Sequence, residues 1–132
     1  MATNSNTSRF KELVKLYGLT KDDFFKAPQG FIIVTRTGIE KIQGVIGCRV
    51  GFSPVPEFTD VSNGLYCVKG FGRVRQEDGT FIQIESFGEC SKANNRNSYP
   101  IAMAEKRALS RVVLKAAGFY ELGVYGEDEM NV

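Results

Sequence analysis

The sequence predicts an α+β fold: an antiparallel three-stranded β-meander, preceded by a strand–helix unit and packed against a long C-terminal helix, a β-β-β-α core. Three observations predict it. Two strand-like runs, Leu65 to Gln76 and Thr80 to Cys90, flank Glu77-Asp78-Gly79, a loop that suits a hairpin with glycine in the left-handed position. Tyr99 to Gly118 has helical apolar periodicity with its own start and stop. Phe31 to Thr35 is an apolar, β-branched run placed just before a capping-box pattern. At 132 residues the chain is long enough to bury a core as one domain. Helices covering one side of the meander complete a two-layer arrangement.

Each element follows from local chemistry. Residues 1–7 are polar and are expected to be a disordered N-terminus, with a single domain over 8–120 and an acidic tail over 121–132. Ser8 to Tyr17 reads as a short helix in which Phe10, Leu13, Val14 and Tyr17 share a face and Gly18 ends it. A helical turn follows, capped by Thr20. After the Phe31–Thr35 strand, Thr37-Gly-Ile-Glu40 starts a helix from Gly38 to about Ile46. It buries Ile39, Ile42 and either Val45 or Ile46, and Gly47 stops it. Cys48 to Phe58 is extended, but Pro54 and Pro56 confine its second half to a sheet edge or a bulge.

The three-residue loop also sets the register of the hairpin. Val74 should face Ile82, Gly72 Ile84, Gly70 Ser86 and Val68 Gly88 on one side of the sheet. That side is apolar and partly glycine, so a helix backbone can approach it closely. On the other side Arg75 should face Phe81, Arg73 Gln83, Phe71 Glu85 and Lys69 Phe87, which interleaves three cations with three aromatic rings. A slip of one residue would exchange the two sides.

In the last helix Ser98 is placed to cap, Pro100 suits the first helical position and Gly118 suits a left-handed stop. Ile101, Ala104, Glu105, Ala108, Leu109, Val112, Val113 and Ala116 fall on one broad face. Arg107, Arg111 and Lys115 line one edge of it at i, i+4 and i+8. Such a row suits a polyanion, and equally suits a solvated flank.

Composition narrows the chemistry. There is no histidine, the commonest general base, and no phosphate-loop motif. The adjacent carboxylates Asp22–Asp23 and Glu77–Asp78 and the tail cluster sit in capping, turn or terminal contexts, so the chain is read as no enzyme. Cys48, Cys67 and Cys90 are widely spaced and fit buried thiols better than disulfides or a zinc site; no cofactor is expected. No apolar run reaches the roughly 20 residues of a membrane span, and the polar N-terminus has no signal core, so a cytoplasmic location is expected. The net charge of +2 conceals an asymmetry: residues 1–120 carry 17 basic and 11 acidic side chains. A basic body with an acidic end is compatible with nucleic-acid binding and a self-masking or partner-recruiting tail.

The hairpin Leu65 to Gly88, the strand end ESFGECS and the helix AMAEKRALSRVVLKAAGF resemble the core of the single-strand DNA annealing superfamily. That group includes eukaryotic Rad-type annealing proteins and phage Erf-like recombinases. The resemblance spans roughly residues 30–119, and its most family-like piece is Ala104-Glu-Lys-Arg107-Ala108-Leu-Ser-Arg111. It implies ATP-independent annealing of single-stranded DNA by a ring or filament of subunits, with DNA in a basic groove. The chain is shorter than such proteins and has a proline-broken second strand.

The expectation is therefore a DNA-binding recombination protein of a phage or mobile element. Lys69, Arg73, Arg75, Lys92, Arg96, Arg107 and Arg111 are the candidate phosphate contacts. Phe71, Phe81 and Phe87 are candidates for base stacking or for a subunit interface. Self-association, and a nuclease or replication protein recruited by the tail, are the expected partners besides DNA. Two other readings stand beside it: a single-strand binder or replication accessory protein without annealing activity, and an oligomeric structural protein of a virion.

Overall fold

The computed structural model describes residues 2–93 and 99–130. Three helices, α1 (Ala2–Leu16), α2 (Arg36–Ile46) and α3 (Pro100–Ala117), combine with two small sheets. The larger sheet joins β3 (Val50–Pro54), β4 (Tyr66–Arg75) and β5 (Phe81–Cys90) in the order β3-β4-β5, all antiparallel. The smaller one joins β1 (Phe24–Lys26), β2 (Ile32–Val34) and β6 (Tyr125–Gly126), with β1 antiparallel and β6 parallel to β2. The fold is α+β, and the meander with its long C-terminal helix is the expected β-β-β-α core.

The hairpin register is the predicted one at every pair named above, from Lys69 opposite Phe87 to Arg75 opposite Phe81. Gln76 and Thr80 close it through a backbone hydrogen bond of 2.8 Å, and Gly79 takes φ +88°. Helix α3 lies against the glycine-bearing side of the sheet. A Cβ on Gly88 would stand 2.0 Å from the Ala104 carbonyl oxygen, and one on Gly70 3.1 Å from the Ala108 methyl. Glycine at these positions is what lets helix and sheet meet backbone to backbone.

α3 has a second packed side. Val113, Leu114 and Ala117 join Leu13, Val34, Ile39, Ile42, Phe119 and Val124 in the main core, away from the sheet contacts of Ala104 and Ala108. The buried arc is consequently wider than the predicted stripe. Met103, Arg107, Ser110 and Leu114 are buried as well, while Ile101 is exposed. Gly118 ends the helix at φ +88°, and Pro100 occupies its first turn. The capping role of Ser98 lies outside the described residues.

Other boundaries move for identifiable reasons. α1 begins at Ala2, so residues 2–7 extend the helix expected from Ser8 rather than forming a separate terminus. α2 begins at Arg36, because the Thr35 hydroxyl accepts the Gly38 amide at 3.2 Å, displacing the Thr37 cap. β3 is an edge strand ending at Pro54, and Pro56–Phe58 form a 3-10 turn. The largest correction concerns 121–132. Through residue 130 it is no free tail: Tyr125–Gly126 pair with β2, and a 3-10 turn at Glu127–Glu129 lies against α3.

Candidate functional site

The face of the larger sheet turned away from α3 carries the interleaved side chains. Phe71 is 37% exposed, Phe87 44% and Phe81 53%. Burial of apolar rings is the main driving force of folding, so three half-exposed phenylalanines on one strand pair need an occupant or a function. Phe58, in the 3-10 turn after β3, extends the row: its ring stands edge-on to Phe87, with centroids 6.4 Å apart. The Phe71 ring lies across Gly51 of β3, where a Cβ would come within 2.8 Å of it.

The cations on this face differ from one another. Arg73 places its guanidinium carbon 4.5 Å from the centre of the Phe81 ring, an arrangement that leaves its donors available at the rim. Arg75 is exposed beside the hairpin loop. Lys69 pairs with Glu85 across the strands at 2.6 Å, and the hydrogen bond from Lys69 holds the Glu85 carboxyl below its ordinary range. Positive charge on the face is therefore concentrated at the loop end. There a notch of about 370 Å³ opens between Arg49, Gly51, Phe71, Arg73 and Gln83.

Arg49 and Phe58 were missed by sequence reasoning. Arg49 was legible in part: continuing the sheet register into β3 sets Gly51 opposite Phe71, and alternation then carries Arg49 to the same side, next to Arg73. Nothing in the sequence places Phe58, because its position depends on the turn imposed by Pro56.

The remaining candidates lie elsewhere. Lys92 is exposed at the far end of the sheet, its stem laid over Gly64. Arg96 lies outside the described residues. Arg107 and Arg111 correct the expectation of an open basic edge. Arg107 is 2% exposed; it donates to the Glu89 carbonyl at 2.9 Å and to the Asp128 carbonyl at 2.7 Å. Arg111 binds Glu129 through two nitrogens at 2.6 and 2.7 Å and Glu89 at 2.7 and 3.0 Å. These carboxylates, Glu129 foremost, raise its pKa further above the usual guanidinium range. Hydrogen bonding to Arg111 in turn holds Glu89 low.

The i, i+4, i+8 spacing has a structural use. Arg107, Arg111 and Lys115 donate to the carbonyls of Glu89, Phe87 and Glu85, at 2.9, 2.7 and 3.4 Å. β5 is an edge strand, and these are its outward-facing carbonyls. Four residues of helix rise about 6 Å and two of strand about 6.7 Å, so the two periods match. The row of cations caps a sheet edge.

Cys48, Cys67 and Cys90 are buried, and burial pushes the Cys48 and Cys67 thiols up, away from the reactive thiolate. Among the described residues no three His, Cys, Asp or Glu side chains converge as a metal ion would need, and no helix is long and apolar enough to cross a membrane. Compared with family models, curated proteins and solved structures, the chain has no match.

Proposed function

We propose that the protein binds single-stranded DNA on the outer face of the β3-β4-β5 sheet and anneals complementary strands without ATP. The observation that carries this reading is the alternation of Phe71, Phe81 and Phe87 with Arg73 and Arg75 on one solvent-facing surface. Aromatic faces accept any base, and guanidinium groups neutralise phosphates without reading sequence. Phosphates track the loop end, where Arg49, Arg73 and Arg75 lie. Bases reach inward over the rings, past the neutral Lys69–Glu85 pair. The platform is one-sided, so the pairing edges of stacked bases stay open to a second strand, as annealing requires. The resemblance of the hairpin and α3 to annealing proteins points the same way.

Two double variants test it. Phe71→Ala with Phe87→Ala should weaken binding by about 1–3 kcal/mol per lost stack. Arg49→Ala with Arg73→Ala should reduce the slope of log affinity against log salt by about 1.4, two contacts to a single strand. A fluorescence annealing assay with complementary oligonucleotides should lose rate in both variants and be indifferent to ATP. Unchanged binding in both variants, combined with a fall in molecular mass by light scattering in the first, would assign the face to subunit packing instead.

A further inference from the structure

The acidic segment Glu127–Glu129 is held by more partners than its length would suggest. The Arg36 amide, in the first turn of α2, donates to the Glu127 carboxylate. The Ser110 hydroxyl donates to the Asp128 carboxylate at 2.7 Å, and Arg107 donates to the Asp128 carbonyl. Arg111 grips Glu129 in a two-pronged pair. Three consecutive carboxylates are thus each received by a different kind of anion-binding group: a helix N-terminal amide, a hydroxyl and a guanidinium. These are the groups that receive phosphates along a nucleic-acid strand.

The segment also borders an opening. Asp128 forms one wall of a cleft of about 360 Å³ between α2 and α3, lined also by Lys106, by Glu105 and by the Arg36–Glu40 pair. None of residues 127–130 belongs to the hydrophobic clusters, so the turn is attached by polar contacts, whereas Tyr125–Gly126 before it are fixed in the smaller sheet. A polar attachment of this kind weakens against a competing polyanion, while the anchor keeps the segment close enough to return.

We infer that Glu127–Glu129 is a displaceable strap, a phosphate mimic seated on a second anion-binding surface made by the Arg36 amide, Ser110, Arg107 and Arg111. This rests on the reading that the protein binds single-stranded DNA. The strap sets a threshold: a short or weakly held strand occupies the outer sheet face alone, whereas a longer one lifts the strap and gains the covered cations. Arg111 keeps Glu89 when the strap leaves, so the β5 edge stays capped during opening.

The test is a charge-removing triple variant, Glu127→Gln, Asp128→Asn and Glu129→Gln, in the full chain. It is compared with a variant raising net charge equally at exposed sites remote from the strap: Glu12→Gln, Asp22→Asn and Glu121→Gln. Affinity for oligothymidylate is measured across salt by fluorescence anisotropy. The strap variant should bind about tenfold more tightly than the control at low salt, with a salt slope steeper by about 1.4 for two added contacts. In the parent protein, oligothymidylate should move the amide resonance of Arg36 toward its position in the strap variant. Equal affinity and slope in strap and control variants would overturn the inference, as would DNA binding that leaves the Arg36 amide unmoved. Absence of binding by parent and strap variant alike would overturn the reading beneath it too.

Discussion

Replacing Gly88 by alanine tests the packing on which the exposed face depends. A Cβ built there stands 2.0 Å from the Ala104 carbonyl oxygen, 2.5 Å from the Ala108 nitrogen and 2.9 Å from the Ala108 methyl. Ordinary carbon–oxygen contact is roughly 3.3 Å, so helix and sheet must separate by about 1 Å. The obstacle is backbone, which no rotamer change relieves. Nor can α3 simply retreat, because Val113, Leu114 and Ala117 fill the core on its other side. A gap of that size forfeits a quarter to a half of each van der Waals contact along the seam, and overpacking adds strain; together they should cost at least about 3 kcal/mol. For a domain of this length that lowers the melting midpoint by about 10 °C. Gly44→Ala is the control, since nothing lies within 4 Å of its Cβ and it occupies an exposed position inside α2. Alanine there should stabilise by about 1 kcal/mol. Circular dichroism melts of both variants decide the matter. A Gly88→Ala melt within about 2 °C of the parent would refute the close approach of α3 to β5.

Arg111→Ala should destabilise the fold by about 1–3 kcal/mol in urea unfolding, because it strands Glu89 and Glu129 beside each other and uncovers the Phe87 carbonyl; a loss below about 0.5 kcal/mol would make the arginine a surface group. Burial would raise the Asp23 carboxyl, but hydrogen bonds from Lys41 and Thr20 outweigh it and hold the pKa below the ordinary 3.8. Its contribution is therefore complete above about pH 4 and lost as pH falls through the lowered value. Asp23→Asn should cost about 1–2 kcal/mol at neutral pH, with Lys41 partly solvated, and the difference from the parent should shrink in acid.

The register of β4 and β5 was legible because two strong local rules agree: a three-residue loop with glycine third, and a period of two with one greasy side. Knowing the register predicted both the close approach of α3 and the composition of the opposite face. Arg107 and Arg111 were misread for an equally physical reason. A helical wheel ranks residues by angle on their own helix, and it assumes one packed side. α3 is packed on two, and the third side of its circumference meets the β5 edge and residues 126–129, which lie far away in sequence. The two-residue strand β6 and the three-residue strand β1 are too short to carry a period, so the smaller sheet was invisible until Ile32–Val34 drew them together.

The cations that hydrogen-bond the outer carbonyls of β5 also constrain symmetry. A sheet continued from subunit to subunit, head to tail, needs two receptive edges on every copy, one to give and one to take. Here Arg107, Arg111 and Lys115 already occupy one of them. Continuation through this sheet is left with β3 alone, and like edges join only about a two-fold axis, which closes at two copies. A ring or filament of these subunits must be assembled through other surfaces, and its larger sheets would stand as separate units rather than as one unbroken ribbon.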